Sequence, residues 1–216
     1  MIAYASRTGT KRNLDQLRVH GWRLMVSARG VLRTEGFSYA LDNGAWTAFQ
    51  RGEEFDVAAF EKAVRMLGPG ADWIVLPDVV MGGIASLDMS IAWLRKLRRR
   101  VVLRDARFML AVQNGMEEPA VLRRIKRHLG KKVGIFVGGD TEWKLATMAL
   151  WSGVAHECGA ICHVGRVNTA RRIRLCEVAG VDSFDGSGWS RFGDTIRAGE
   201  LARQQIDLEG YLARAA

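Results

Sequence analysis

The sequence has few of the features that mark membrane, secreted or disordered chains. Its longest apolar stretches, Trp73–Pro77 and Val79–Ala85, are far shorter than the roughly 20 residues that span a bilayer. Only 3 Pro and no low-complexity run argue against a disordered chain. Its 3 Cys cannot all form disulfide bonds with one another, which suits a reducing cytoplasm. Residues 1–9 lack a basic region followed by an apolar core, so we expect no export signal.

Acidic residues are also scarce. The chain carries 23 Asp+Glu against 32 Lys+Arg, a formal net charge of +9 and a sequence pI of about 10.0. This balance favours a polyanionic partner, with nucleic acid as the first candidate, although an arginine-rich composition also arises without such a role. Apolar residues make up 48% of the 216 residues, enough for a substantial core. We therefore expect one domain over residues 1–216, a length at which closed α/β barrels begin.

Short apolar, β-branched segments alternate with longer amphipathic ones along the whole chain. The alternation predicts parallel strands joined by helical crossovers. The predicted strands are Ile2–Tyr4, Arg23–Val26, Ser38–Leu41, Trp73–Pro77, Phe108–Gln113, Val133–Val137, Ala160–Val164 and Val181–Phe184. The predicted helices are Leu14–His20, Val57–Met66, Ser86–Arg99, Pro119–His128, Thr141–Ser152, Thr169–Ala179 and Thr195–Ile206.

Eight such strands predict an α/β fold, a compact single-domain (β/α)8 TIM barrel that the helix at about 195–206 closes. A doubly wound open sheet is the alternative. No helix is evident in residues 28–37, so the connection after the second strand is the least regular part of the pattern.

Polar residues directly follow most of the predicted strands, at the end of a barrel where active sites form. Three of them are the carboxylates Asp42, Asp78 and Asp185, and one is the amide Gln113. A single Asp at a strand end is often only a helix cap, but its recurrence at successive strands favours a site. Glycines at the same ends let a flat ligand approach the backbone.

Paired carboxylates suit chemistry at a glycosidic bond. One carboxylate attacks the anomeric carbon and the other transfers the proton of the leaving or entering group, so that a covalent intermediate gives retention. A third carboxylate and an amide close to Trp46 suit a planar heterocycle with hydrogen-bonding edges.

Six short motifs at these strand ends carry a resemblance to a known family. They are Asp42-Asn43-Gly44-Ala45-Trp46, Leu76-Pro77-Asp78, Val112-Gln113-Asn114-Gly115, Val137-Gly138-Gly139, Val164-Gly165 and Gly180-Val181-Asp182-Ser183-Phe184-Asp185. Over roughly residues 38–187 the sequence resembles the tRNA-guanine transglycosylase superfamily, which includes the queuine and archaeosine tRNA-ribosyltransferases. It is most similar in type to the short phage members that insert 7-deazaguanines into DNA. The family uses a (β/α)8 barrel to exchange guanine for a 7-deazaguanine without breaking the nucleic-acid backbone.

The resemblance implies roles for individual residues. Asp185 would be the nucleophile on C1′, and Asp42 the general acid and base that protonates departing guanine and deprotonates the incoming base. The residues expected to bind the base are Asp78 and Gln113 at its polar edges, Gly138 and Gly139 through the backbone, Trp46 by stacking, and Val164 on the opposite wall.

The sequence departs from the family pattern at several points. The usual Asp-Ser-Gly-Gly-aromatic motif reads Asp42-Asn43-Gly44-Ala45-Trp46, and Gly186 stands in place of the usual Cys after the nucleophile. The Cys-x-Cys-x-x-Cys…His zinc pattern of the tRNA enzymes is missing, so we expect a barrel that lacks the zinc-binding subdomain and uses no metal and no cofactor. The cysteines and nearby histidines, which do not reproduce that spacing, are Cys158, Cys162, Cys176, His156 and His163.

Cations that follow strands should surround the active face and contact phosphates. The candidates are Arg7, Lys11, Arg12, Arg166, Arg171, Arg172 and Arg191, and Arg29, Arg33, Arg51 and Lys144 share this placement. The basic run 95–100 and the pair Lys131–Lys132 precede strands, so we expect them at the opposite end of the barrel, as solvated helix ends.

The leading hypothesis is a cytoplasmic enzyme, in the host cytoplasm if phage-encoded, that exchanges guanine in DNA for a free 7-deazaguanine such as preQ0. Its partners would be DNA and that base, with no membrane, and an accessory protein is left open. The alternatives are the same exchange on tRNA, a nucleic-acid-binding barrel that has lost catalysis, and a glycosylase that hydrolyses the intermediate with water.

Overall fold

The structure is a computed structural model that describes residues 1–191 and 193–204. Within these residues, eight strands pair in parallel and in chain order, and β8 closes on β1 to complete the barrel. The predicted (β/α)8 barrel is therefore confirmed, and the open sheet is excluded. The strands are β1 Ile2–Ser6, β2 Arg23–Ser27, β3 Tyr39–Asp42, β4 Ile74–Val75, β5 Phe108–Val112, β6 Val133–Val137, β7 Cys162–Val164 and β8 Ser183–Gly186.

Helices fill the connections between most strands. They are α1 Lys11–Val19, α2 Ala45–Gln50, α3 Val57–Leu67, α4 Ile84–Arg98, α5 Pro119–Lys126, α6 Thr141–Glu157, α7 Ala170–Val178, α8 Gly188–Arg191 and α9 Gly193–Gln204, with 3-10 turns at Gly68–Gly70 and Val101–Leu103. Residues 28–37 contain no helix, as expected. The last part of the predicted helix Thr195–Ile206 lies outside the described residues. No helix of the described chain is long and apolar enough to cross a membrane.

The seventh and eighth strands begin two residues later than predicted, because the first residue of each predicted strand donates a backbone hydrogen bond to the end of the preceding helix. The Val181 N–H donates to the Cys176 carbonyl at 3.0 Å, and the Ala160 N–H donates to the Ala155 carbonyl at 2.8 Å. Gly180 and Gly159, at φ +69° and φ +65°, allow the left-handed turns that make these bonds. As a result Asp185 lies within β8 and not beyond it.

Side chains alternate between the barrel interior and the helix layer along each strand. Below the carboxyl-terminal strand ends, the interior is filled by Tyr4, Met25, Ala40, Trp73, Val75 and Met109, with Phe136 packed against them. The intervening strand residues pack outward against the helices in the larger core cluster. Two residues further along their strands than Met25, Ala40 and Phe136 are Ser27, Asp42 and Gly138. These positions therefore also face the barrel interior, at the carboxyl-terminal end where the site lies.

Candidate active site

A cavity of about 750 Å³ opens at the carboxyl-terminal end of the barrel. It is lined by the four residues predicted to carry the chemistry and the edge recognition, Asp42, Asp78, Gln113 and Asp185. Each stands at or just beyond the end of a different strand, so the barrel brings together residues that are up to 143 positions apart, from Asp42 to Asp185.

Asp185 lies on the cavity wall with 9% of its surface exposed. Its Oδ1 is 3.0 Å from Nε2 of His163, which lies on the neighbouring strand β7. Asp42 ends β3, and its Oδ2 accepts a hydrogen bond of 3.1 Å from the Gly44 N–H. Burial and the nearby charge of Asp185 raise the pKa of Asp42 to about 6. A carboxyl with that pKa can both give and accept a proton near neutral pH.

Asp78 is held by two amide side chains. Nδ2 of Asn43 is 2.7 Å from its Oδ1, and Nε2 of Gln113 is 3.0 Å from its Oδ2. Asn43 also donates to the Leu76 carbonyl at 2.7 Å, so it joins the ends of β3 and β4 where the ladder is short. Burial raises the pKa of Asp78 to about 6, although the two amide hydrogen bonds act in the opposite direction.

The amide of Gln113 has one orientation that satisfies its neighbours. Nε2 faces three oxygens, those of Asp78, the Val79 carbonyl at 2.9 Å and the Ser86 hydroxyl at 2.8 Å. An amide flip would place Oε1 against the first two, which are acceptors. Oε1 is therefore buried without a hydrogen-bond partner among the described residues.

Gly138 and Gly139 also line the cavity, but their backbone groups are partly engaged. The Gly138 N–H donates to the Val112 carbonyl at 2.9 Å as part of the barrel ladder. Gly139 has φ +61°, and a Cβ there would lie 2.5 Å from the ring of Trp143. This position therefore requires glycine on both conformational and steric grounds.

Trp46 lies in α2, a helix that the sequence reading missed, and lines the cavity with 37% of its surface exposed. The guanidinium of Arg166 lies over its ring, 4.0 Å from the centroid, and also donates to the Gly139 carbonyl. Arg166 is thus drawn into the cavity by two of the predicted base-binding residues, instead of standing free on the rim for a phosphate. Its backbone has φ +60°, in the left-handed region.

Val164, predicted to form the wall opposite Trp46, has its side chain directed away from this cavity. On β7, His163 faces the barrel interior, where it contacts Tyr4, Trp73 and Phe136, so Val164 faces the helix layer. Val164 is 2% exposed and lines a separate small pocket between the barrel and helices α6 and α7. The residue that sequence reasoning missed is His163, whose signal was a histidine in an otherwise apolar buried strand.

The strand-following cations divide into exposed and engaged groups. Lys11 and Arg171 are exposed, whereas Arg7 pairs with Glu35 at 2.6 Å and Arg29 pairs with Glu53 at 2.5 Å. Arg172 is half-buried, Arg33 and Arg51 are exposed, and Arg12 is exposed but also has an interaction partner. The side chain of Arg191 lies outside the described residues.

Lys144 is the clearest correction among the cations, because it is buried, with 4% of its surface exposed, and donates to the Gly165 carbonyl at 2.5 Å. Burial and the nearby Arg166 lower its pKa to about 8. It is therefore not available to a phosphate on the rim.

Among the described residues, no group of three or more His, Cys, Asp or Glu side chains is arranged to hold a metal ion. Cys162 and Cys176 are buried, and burial raises the pKa of both thiols, that of Cys176 to about 12. His156 is 2.9 Å from Asp182 instead of facing the cysteines.

No protein-family model matches the sequence, and no curated protein matches it either.

Proposed function

We propose that this protein is a base-exchange transglycosylase that replaces guanine in DNA with a 7-deazaguanine such as preQ0. The observation that carries the proposal is the presence of Asp42, Asp78, Gln113 and Asp185 on the wall of one cavity. A volume of about 750 Å³ is in the range of small-ligand sites and accommodates a purine-sized ring with its sugar.

In the proposed first step, a carboxylate oxygen of Asp185 attacks C1′ of the target nucleotide. The bond between C1′ and N9 of guanine breaks, its electron pair goes to the leaving base, and Asp42 supplies the proton that neutralises that base. A pKa of about 6 suits Asp42 to this task, because part of the population is protonated near neutral pH.

In the proposed second step, Asp42 removes the proton from N9 of the incoming 7-deazaguanine. N9 attacks C1′, and the bond between C1′ and Asp185 breaks to regenerate the carboxylate. Two successive inversions retain the configuration at C1′.

The acceptors beside the cavity support recognition of a guanine-like edge. The oxygens of the Asp78 carboxylate are acceptors on the cavity wall, and the ring N–H and amino group of guanines are donors. An adenine-like edge would bring an acceptor against these oxygens, so the same groups favour a guanine over an adenine.

The choice of DNA rests on the resemblance to the DNA-acting members of the family, and the exposed rim cations Lys11 and Arg171 support a polyanion at this end. The target base must leave its stack to enter the cavity, which costs a few kcal/mol in a duplex.

The test offers radiolabelled guanine or preQ0 with DNA and with tRNA in separate reactions and measures incorporation. We expect uptake into DNA, and a covalent DNA adduct that forms with the wild type and not with Asp185→Ala. Uptake into tRNA alone contradicts the DNA assignment, and base release without incorporation indicates a hydrolase. Absence of both uptake and release contradicts the enzyme assignment. Glu61→Gln, a change on α3 outside the cavity, is the matched control.

A further inference from the structure

His163 is buried in the middle of the barrel with 0% of its surface exposed. Its imidazole is surrounded by aromatic rings, with centroids at 4.7 Å for Trp73, 4.9 Å for Phe136 and 5.8 Å for Tyr4. A polar ring in such a place needs partners for both of its nitrogens.

Both partners lie on β8, the neighbouring strand. Nδ1 is 2.8 Å from the hydroxyl of Ser183, which is the strand partner of His163, and Nε2 is 3.0 Å from Oδ1 of Asp185. An ionised carboxylate only accepts hydrogen bonds, so Nε2 carries the proton and Nδ1 accepts the Ser183 hydroxyl proton. The two bonds together fix the ring orientation and its tautomer.

The imidazole is neutral in this setting. Burial lowers the pKa of His163 and the positive charge of Lys144 acts in the same direction, while Asp185 acts against them. The ring therefore holds the carboxylate with a hydrogen bond and leaves its negative charge in place, which an arginine or lysine would compensate.

We propose that His163 is a positioning residue: its Nε2–H holds Oδ1 of Asp185, so that Oδ2 is the oxygen that attacks C1′. The inference rests on the proposed function and deepens it, since it assigns the attacking atom and the group that orients it. His163 is fully buried and cannot touch a substrate, so it acts through Asp185. Fixing the carboxylate removes the rotational search that an unheld side chain would make before each attack.

Two conservative variants separate the bonds of His163. In His163→Gln the side-chain nitrogen reaches the position of Nε2 and keeps a donor for Asp185, whereas in His163→Asn it reaches only the position of Nδ1. We expect kcat of the Gln variant to stay within about 5-fold of the wild type. We expect kcat of His163→Asn, and of His163→Phe, which keeps an aromatic ring but has no donor, to fall by about 10- to 100-fold, as loss of nucleophile positioning predicts.

KM for the free base should change by less than about 3-fold in all three variants, because Asp78 and Gln113 are untouched. A purely structural role would instead lower the fraction of folded protein, which circular dichroism measures, and leave kcat per folded molecule unchanged. A folded Asn or Phe variant with wild-type kcat overturns the proposal. A Gln variant as slow as the Phe variant also overturns it.

A measurement on the wild type keeps the test independent of activity and of variant folding. The chain has 4 His, so ¹⁵N-histidine NMR can resolve the buried ring. We expect the tautomer with its proton on Nε2, and a changed Nε2–H signal in Asp185→Ala. A proton on Nδ1 alone, or on both nitrogens, overturns the proposal. If the wild type exchanges no base on DNA or tRNA but the Nε2–H tautomer is found, the proposed function fails while the hydrogen bond to Asp185 stands.

Discussion

Acidic side chains inside the cavity are held differently from those elsewhere in the molecule. Asp72, just before β4 at the opposite end of the barrel, accepts from the Tyr4 hydroxyl and pairs with Arg23, both at 3.0 Å. Glu61 on α3 is bonded to two cations, and these lower its pKa although burial alone would raise it. Asp42 and Asp78 receive their hydrogen bonds from neutral donors, a backbone N–H and two side-chain amides.

This difference separates carboxylates that are paired with cations from the carboxylates to which the proposed function assigns chemistry and base binding. A cation beside Asp42 would hold it ionised and end its use as an acid near neutral pH. Neutral donors satisfy the oxygens while burial keeps the pKa near 6. Asp42 and Asp78 in their ionised form thus cost stability, as groups kept for function often do.

The largest expected effect comes from removing the proposed nucleophile. Asp185→Asn should lower the rate of base exchange by at least about 10³-fold, because no covalent intermediate forms. Glu61→Gln, which removes a carboxylate paired with cations outside the cavity, should keep the rate within about 2-fold. Incorporation of labelled base measures both. Equal losses of exchange rate in the two variants would show that the acids in the cavity matter no more for the reaction than the acids elsewhere.

Asp42→Asn should lower exchange by about 10²- to 10³-fold, because the leaving base loses its proton donor. In the wild type the first step needs protonated Asp42, so its rate should fall as pH rises through about 6. The variant should lose this dependence. Single-turnover release of guanine between pH 5 and 8 measures it, and an unchanged profile in the variant would assign the proton transfer to another group.

Asp78→Ala should act on binding more than on chemistry. Loss of a charged acceptor costs about 1.5–3 kcal/mol, so KM for the incoming base should rise by about 10- to 100-fold. The change in kcat should be smaller. Steady-state kinetics with varied free base separates the two constants, and a fall in kcat at constant KM would place Asp78 in the chemical step.

The two groups of acids should also have opposite effects on stability. The pKa of Asp42 is about 6 in the folded protein and about 3.9 in an unfolded chain. The folded state therefore binds more protons between these values, and the free energy of unfolding falls as pH rises from about 4 to 6. At pH 7 this cost is fully present, so Asp42→Asn should stabilise the protein by about 1–2 kcal/mol.

Glu61 has the opposite sign, since its lowered pKa stabilises the fold above its unfolded value and this contribution is lost as pH falls. Glu61→Gln should destabilise by about 0.5–1 kcal/mol at pH 7, as for a partly exposed ion pair. Urea unfolding at pH 7 measures both variants. A destabilised Asp42→Asn would show that its carboxylate supports the fold.

The smallest effect concerns the cations. If nucleic acid approaches the cavity, Lys11→Ala or Arg171→Ala should each reduce the slope of log K against log salt concentration by about 1. Lys131→Ala, at the opposite end, is the control and should leave the slope unchanged. Fluorescence anisotropy of labelled DNA over a salt series measures this. Equal slope changes at the two ends would mean that the cavity end has no special role in binding.

The sequence predicted the barrel because each strand is a short apolar run bounded by a helix pattern. It also located Asp42, Asp78, Gln113 and Asp185, since residues after successive parallel strands share one rim. These inferences need only the order of elements along the chain.

What the sequence did not predict depends on the phase of each strand and on tertiary contacts. Val164 and His163 are adjacent, and the barrel register decides which one faces inward. Lys144 is buried where α6 packs against β7, and Arg166 is held in the cavity by its contacts with Trp46 and the Gly139 carbonyl. Apart from the histidine within the apolar β7, none of these features has a signal in the local pattern of apolar residues.

The position of Arg166 has a consequence for ligand affinity. Its guanidinium covers a face of Trp46 and bonds to the Gly139 carbonyl, so a base that stacks on that face must displace it. Binding is then an exchange of one flat, polar group for another, and the measured affinity is the difference between two sets of contacts. A smaller side chain at 166 would remove that competition, so affinity for a free base can be raised by a change that adds no contact to the ligand.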